Sequence, residues 1–393
     1  MLNKNVLMIR RILPVGQGAF YLERFYNHAG QSCFTIVYDC GAYPVKRYVK
    51  REIERNFKQD EIVNIVFISH LDADHLNGLM DLLKRCRVKC IVYPLLEDWE
   101  YQISWVGNKI LSKDEFVEAF ITDAKEAIGK LDLPYEPILV KVKKREGEGH
   151  ENNGNVVIEG EESLIKQDEI ESGARILLDM LSMHGQMQGT RKWILSPFNF
   201  QHDLCKQELV KHLAVEFGDS FDIKGLRSYW EKSDANRRKI KCAYEKLKGG
   251  TNANSMILYS GPQRSTDEQV LGMCACAAVN QCRCWWIQFL RAGCLYTGDY
   301  CAADTENWRA LDWWCRPFWY DIGCVQIPHH GSILSFNKNL IREHAVHFVS
   351  VGDSNNHGHP SGEVCESLMA AGKCLCMVTE SLTSELDFWV CLV

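Results

Sequence analysis

The stretch IVNIVFISHLDADHLNGL, residues 62–79, decides how the rest of the chain is read. Its first half is a run of β-branched and apolar residues of strand length. It then ends abruptly in His70, Asp72, Asp74 and His75. Acids and imidazoles at the end of a buried strand are costly to desolvate unless they share a partner, and the partner that suits carboxylate and imidazole together is a divalent metal. A strand that delivers such a cluster at its carboxyl end is the layout of an α/β layered fold, in which ligands collect at strand ends.

The flanking sequence agrees with that layout. NVLMIRRILPVGQGAFYLERFY (5–26) and SCFTIVYDCG (32–41) alternate strand-like runs with turns, and YPVKRYVKREIERNF (43–57) reads as an amphipathic helix. After the cluster, LNGLMDLLKRC (76–86) reads as a helix and CIVYP (90–94) as a short strand. SKDEFVEAFITDAKEAIGKL (112–131) predicts one helix with Ser112 as its N-cap. The charged, glycine-bearing stretch 141–169, which holds His150, is expected to be a mobile surface insertion, and His150 a solvated loop residue.

RKWILSP (191–197) resumes the strand pattern, and 204–248 reads as helical and charged. NSMILYS, CWWIQFL, GCLYTGD, CVQIPHHGS and AVHFVSVGD are five further strand-like segments between 254 and 353, with no fixed repeat period. The expectation is one domain over 1–393 made of two facing mixed β-sheets with helices outside. It carries insertions at about 98–190, 200–250 and 261–283, the last a cysteine-rich hairpin.

With 393 residues and 46% hydrophobic content the chain can bury a real core. No window approaches the ~18 apolar residues of a membrane span, and MLNKNVLMIRRILPVGQG lacks a signal peptide's apolar stretch and small-residue cleavage site. A cytoplasmic protein with no membrane partner is expected. The 18 cysteines are then read as reduced thiols rather than a disulfide scaffold. A formal net charge of −6 gives no global attraction to nucleic acid, so a polynucleotide substrate would need a local positive groove or a companion protein.

Four stretches hold nearly every chemically interesting side chain: SHLDADH (69–75), YTGDY (296–300), IPHHGS (327–332) and NNHGHPS (355–361). Each lies beside glycine or a turn-forming residue, which lets the backbone bend and ligands approach closely. Residues 70–75 preceded by an apolar strand resemble the H-x-[HD]-x-D-H signature of the metallo-β-lactamase superfamily. Val15-Gly16-Gln17-Gly18-Ala19 and Tyr38-Asp39-Cys40-Gly41 resemble the first two strands of that fold, and Thr297-Gly298-Asp299 its bridging-aspartate motif. The sequence is most similar to the lactamase-like domain of the DNA-uptake protein ComEC, whose pattern also matches the P-H-H-G-S segment and S-V-G-x-x-N-x-x-G-H-P. These pieces run from residue 15 to 361.

The resemblance implies an αββα metallo-β-lactamase sandwich and a metal-dependent hydrolase acting on a phosphodiester such as DNA or RNA. It implies Asp74 and His75 on one metal, His70 and Asp72 on the other, and Asp299 between them. His330 or His359, with His359 preferred for its Gly-His-Pro context, should complete the second metal's shell. Asn252, in NANS (252–255), stands where most members carry histidine and is at best a weak ligand. Carboxylate and amide in place of imidazole make the site harder, so two ions of manganese or zinc are expected, with magnesium possible and one metal with a weak second site as the alternative. Two metals about 3.5–4 Å apart lower the pKa of a bridging water and stabilise an in-line displacement, so no serine or cysteine nucleophile is needed.

Asp74 and His329 are the residues expected to act in catalysis. His329 reads equally as the acid that protonates the leaving group or as a hydrogen-bonding support for a ligand. His357 is expected to be exposed, and Asp353 a turn residue. Cys274, Cys276, Cys282 and Cys284 form two Cys-x-Cys pairs that read either as a structural zinc site or as small apolar residues on a hairpin. The aromatic run NWRALDWWCRPFWY (307–320) reads as base-stacking platform or as helix packing, with packing preferred. Two other functions stay open: hydrolysis of a small phosphoester, nucleotide or ester metabolite, and a non-catalytic subunit in which metal only stabilises the fold.

Overall fold

The computed structural model describes residues 6–27, 29–145, 155–158, 165, 167–179, 192–200, 204–218, 221–246, 255–263, 270–276, 290–353, 355 and 358–392. The strands are β1 (Val6–Ile12), β2 (Phe20–Tyr26), β3 (Ser32–Cys40), β4 (Glu61–Phe67), β5 (Cys86–Pro94), β6 (Ile138–Val142), β7 (Asn155–Ile158), β8 (Glu169–Ile170), β9 (Arg175–Asp179), β10 (Lys192–Phe198), β11 (Ile257–Pro262), β12 (Val270–Cys276), β13 (Leu290–Arg291), β14 (Gly293–Tyr296), β15 (Ile322–Gln326), β16 (Val346–Ser350), β17 (Leu375–Val378) and β18 (Leu386–Leu392). They form a ten-stranded sheet, β13-β12-β18-β1-β2-β3-β4-β5-β6-β8, and an eight-stranded sheet, β17-β16-β15-β14-β11-β10-β9-β7. Both are mixed: β3 to β6 run parallel in the first and β14 to β17 in the second, with antiparallel pairs beside them.

The layering follows from the period-2 pattern of these strands. In β3, Ile36 and Tyr38 enter the core between the sheets while Val37 faces the other way; in β10, Trp193 and Leu195 point inward and Ile194 outward. Each outer face then needs a helical cover. Helices Arg47–Asn56, Leu79–Arg85 and Asp98–Ile110 pack on the first sheet, and Thr305–Cys315 and Gly362–Ala370 on the second. The architecture is thus two facing mixed sheets with helices outside, as the sequence leads one to expect. Among the described residues no helix is long and apolar enough to cross a membrane.

A polar pin and an aromatic stack join the two sheets. Fully buried Arg10 of β1 donates from Nε to Glu23 Oε1 of β2 at 2.7 Å, and Ser260 of β11 and Tyr296 of β14 also donate to Glu23, at 2.6 and 2.9 Å. Tyr38 and Tyr21 stack on Tyr296 with ring centroids 4.9 and 5.5 Å apart. Removing one partner of a buried ion pair leaves the other charge uncompensated, at a cost of about 3–5 kcal/mol. Glu23→Ala is therefore expected to lower the urea midpoint sharply, and an unchanged midpoint would show that the pin contributes nothing.

Three local expectations change. Residues 112–131 form two helices, Glu115–Thr122 and Ala124–Gly129, and Asp114 rather than Ser112 caps the first by accepting from the amides of Phe116 and Val117 at 3.0 Å. Asp123 ends that helix in an extended conformation and caps the next through Glu126 N, because its short carboxylate competes for backbone donors. Inside the charged stretch 141–169, the β-branched run Asn155–Ile158 is β7, paired in parallel with β9; averaging composition over the whole window hid it. The 307–320 aromatics are packing residues for the most part: Trp314 stacks on Phe198 at 4.7 Å, and Trp314 and Phe318 are buried. Of the cysteine pairs, Cys274 and Cys276 lie on β12, while Cys282 and Cys284, like His150, His357 and Asn252, lie outside the described residues.

Candidate metal centre

The site forms where the parallel strands of both sheets end. β3 carries Asp39 one residue before its end, β4 runs through Ile68 into Ser69 and His70, β14 leads to Asp299, and β15 leads to His329 and His330. After β4 the chain alternates anchor and ligand: Leu71 and Leu76 are buried in the core, while Asp72, the extended N-cap of the four-residue helix Ala73–Leu76, and Asp74 stay partly accessible. The end of β3 passes directly against this loop. A Cβ at Gly41 would sit 2.4 Å from the Asp74 carbonyl carbon, so the approach that fixes Asp74 requires glycine there.

Asp299 is the centre of the arrangement. Gly298, at φ +52°, has room for no side chain, since a Cβ would lie 2.3 Å from Ser255 Oγ, and that hydroxyl accepts the Asp299 amide at 2.9 Å. The two carboxylate oxygens of Asp299 face different neighbours. Oδ1 lies 3.3 Å from His75 Nε2 and 3.9 Å from His330 Nε2; Oδ2 lies 3.9 Å from His70 Nε2 and 3.7 Å from His329 Nε2. Asp74 Oδ2 joins the first group, 3.2 Å from His330 Nε2 and 3.7 Å from His75 Nε2, and Asp72 Oδ2 approaches His70 Nε2 at 3.9 Å.

Each imidazole presents Nε2 because a neighbour occupies Nδ1. His75 Nδ1 donates to Asp39 Oδ2 at 2.7 Å, and His330 Nδ1 donates to the Ser350 carbonyl at 2.9 Å. Ser69 Oγ donates to Asp39 Oδ2 at 2.7 Å, so it receives the Nδ1 proton of His70 at 2.9 Å. His329 Nδ1 lies 3.1 Å from Ser335 Oγ. Fixing the tautomer in this way leaves the Nε2 lone pair for a cation. His329 and His330 both sit at positive φ, +50° and +54°, a conformation that costs about 1–3 kcal/mol per residue and persists where the surroundings enforce it. That turn aims consecutive imidazoles at opposite oxygens of Asp299.

The electrostatics match the geometry. Burial, with help from His75, lowers the His70 imidazole to about 3, so it is neutral with Nε2 buried and without a hydrogen bond. Burial, then Asp74 and Asp299, raises Asp72 to about 7. Burial would lower His75 and His330, but the carboxylates outweigh it: Asp74, Asp299 and Asp39 raise His75 well above its ordinary value, and Asp299 and Asp74 raise His330. Burial pushes Asp74 up, yet His75 and the His330 hydrogen bond carry it below the usual carboxylate range. Protons are thus held where acids converge, and a divalent cation would replace them, so metal affinity should rise with pH.

The residues fit a divalent cation: ligand atoms of Asp74, His75, Asp299 and His330 all lie within 4.8 Å of one another. His330, expected as one of two candidates to complete the group of His70 and Asp72, sits instead with Asp74 and His75. Its strand end reaches across to the Asp74 side, and Ser350 O locks the ring there. His359 is half-buried, with its ring centroid 6.0 Å from that of His329. Asp39, Ser69, Ser255 and Ser335 were not among the expected site residues. Asp39 carried a signal as an acid near the end of an apolar strand, and Ser69 and Ser255 lie in the SHLDADH and NANS stretches, whereas Ser335 carried none.

No protein-family model matches the sequence, and the curated proteins give no match. Among solved structures, the chain is similar to unliganded yeast PDE1 over 98% of this chain and 99% of that one, at 10% sequence identity and a TM-score of 0.41.

Proposed function

We propose that the protein is a metal-dependent phosphodiesterase, with DNA or RNA as the substrate class that the sequence resemblance favours. The observation that carries this reading is the Asp299 carboxylate, whose two oxygens each face two Nε2 atoms, as a carboxylate shared between two cations would. Bound divalent ions, manganese or zinc by the mixed nitrogen and oxygen donors, would supply an activated water and charge stabilisation for an in-line displacement at phosphorus. The chain's own residues do the positioning. Asp39 and Ser69 hold the imidazoles of the first sheet, Ser350 and Ser335 those of the second, and the Tyr21–Tyr38–Tyr296 stack keeps the two halves in register.

His359, whose ring lies beside that of His329, would then meet the substrate rather than a cation. His359→Ala is expected to lower turnover by ~100-fold with the bound metal unchanged, as for loss of a proton-transfer or phosphate-contacting group. Metal loss in that variant would instead make it a ligand.

A second reading, a small phosphoester or nucleotide, is favoured by the net charge of −6, because nonspecific polynucleotide binding relies on many cationic phosphate contacts. Incubation with single-stranded DNA, RNA and bis-p-nitrophenyl phosphate, each with manganese, zinc or chelator, separates the two. Chelator-sensitive cleavage of the small diester alone selects the second reading, and no cleavage of any phosphodiester overturns both.

A further inference from the structure

A cavity of about 1530 Å³ opens on the outer side of the ten-stranded sheet, among β5, β6, β8 and the helices Asp98–Ile110, Glu115–Thr122 and Ala124–Gly129. None of its lining residues belongs to the metal centre. It exceeds the ~300–1000 Å³ of an ordinary small-molecule pocket, so an extended occupant fits it better than a compact one.

Its lining combines tyrosine rings with an excess of carboxylates. Tyr93, Tyr101 and Tyr135 face it, as do Asp98, Asp123, Asp132 and Asp168, which form no ion pair among the described residues. The other two lining acids are engaged, Glu136 with Lys125 and Glu169 with Lys143, each at 3.9 Å. Of the lining cations, Arg227 is held by Glu231 at 3.0 Å, which leaves Lys141 and Lys224 against the four free aspartates. The wall is therefore net negative, and the tyrosine ring faces add a second attraction for cations.

Tyr93 points to the same kind of occupant. It leaves β5 on the outer face, where Phe120 packs edge-on with ring centroids 5.5 Å apart, and it is only 4% exposed. Its hydroxyl nonetheless makes no hydrogen bond among the described residues, although the residue lines the cavity. Burial, then Tyr101 and Asp123 nearby, raises that hydroxyl, so it is protonated with an oxygen lone pair to offer. A buried polar group without a partner is destabilising until something pairs with it, and an ammonium group would both donate to this oxygen and offset the Asp123 charge.

We propose that the cavity holds an extended lysine-bearing segment of a partner protein, with its ammonium groups at Tyr93, Asp98 and Asp123 and its alkyl stems along the tyrosine rings. The site stands apart from the metal-dependent reading, and neither depends on the other.

The test is calorimetric titration of the full chain with acetylated, amidated hexalysine, with spermine in parallel. Hexalysine should bind at one saturable site, more weakly as salt rises. Tyr93→Phe deletes an unpaired hydroxyl and keeps the ring, so the fold should stand while affinity falls by ~10-fold or more, as for loss of a hydrogen bond to a charged group. Asp123→Asn keeps the cap on helix Ala124–Gly129, because asparagine caps as well as aspartate, and should weaken binding by ~2–5-fold. Glu245→Gln makes the same change in net charge at an exposed position outside the cavity and should leave affinity unchanged. Wild-type affinity in Tyr93→Phe, or equal weakening by Asp123→Asn and Glu245→Gln, overturns the proposal. Spermine bound as tightly as hexalysine overturns the peptide occupant, and absence of hexalysine binding overturns the site.

Discussion

Asp299→Ala is expected to lose metal at both positions and to lose turnover with it. Each Asp299 oxygen serves a different pair of imidazoles, so deleting the carboxylate takes a donor from two positions in one step. Substitution of a residue that merely supports a ligand costs ~10–100-fold in metal affinity or activity. A shared ligand should exceed that range, giving a loss greater than ~100-fold in each. The fold should survive, because Asp299 lies at a strand end and the inter-sheet pin at Arg10 and Glu23 is untouched. Elemental analysis, circular dichroism and bis-p-nitrophenyl phosphate hydrolysis on one preparation read all three quantities. Full metal content in a folded Asp299→Ala protein would show that the cluster is not the cation site.

The second large effect is expected at Asp39, which touches no cation in this arrangement. Burial raises its carboxyl, with His75 and Ser69 opposing, and it receives hydrogen bonds from Ser69 N, Ser69 Oγ and His75 Nδ1 at 2.6, 2.7 and 2.7 Å. Asparagine keeps the size and tolerates the positive φ of +55° at this position, so the backbone should be unperturbed. An amide nitrogen facing Nδ1, however, drives the His75 proton to Nε2 and withdraws the lone pair from the site. Asp39→Asn should therefore weaken metal binding and turnover by ~10–100-fold, with excess metal restoring part of the activity. A variant with wild-type metal affinity would show that Asp39 has only a structural role.

Much of this was legible in the chain. Alternation in SCFTIVYDCG and RKWILSP is enough to place one face of each sheet in the core, and the abrupt change from IVFI to SHLDADH marks a strand end loaded with donors. The same reasoning picks out Asp299 and the two histidines of IPHHGS. It fails at Ser112 and at Asn155–Ile158, where one competing cap or three consecutive β-branched residues outweigh the average character of the window.

The sequence by itself determined the layered fold, the convergence of strand ends and the residue types that could hold a cation, since these follow from local periodicity and from the cost of burying unpaired charge. The tertiary structure alone decided the pairings: His330 with Asp74, His329 with Asp299 Oδ2, Asp39 behind His75, and Ser350 behind His330. Those partners lie between 20 and 256 positions apart along the chain, so no spacing rule links them. Their distances are set by the twist and register of two sheets packed through Tyr21, Tyr38 and Tyr296, a property of the assembled core that no single segment carries.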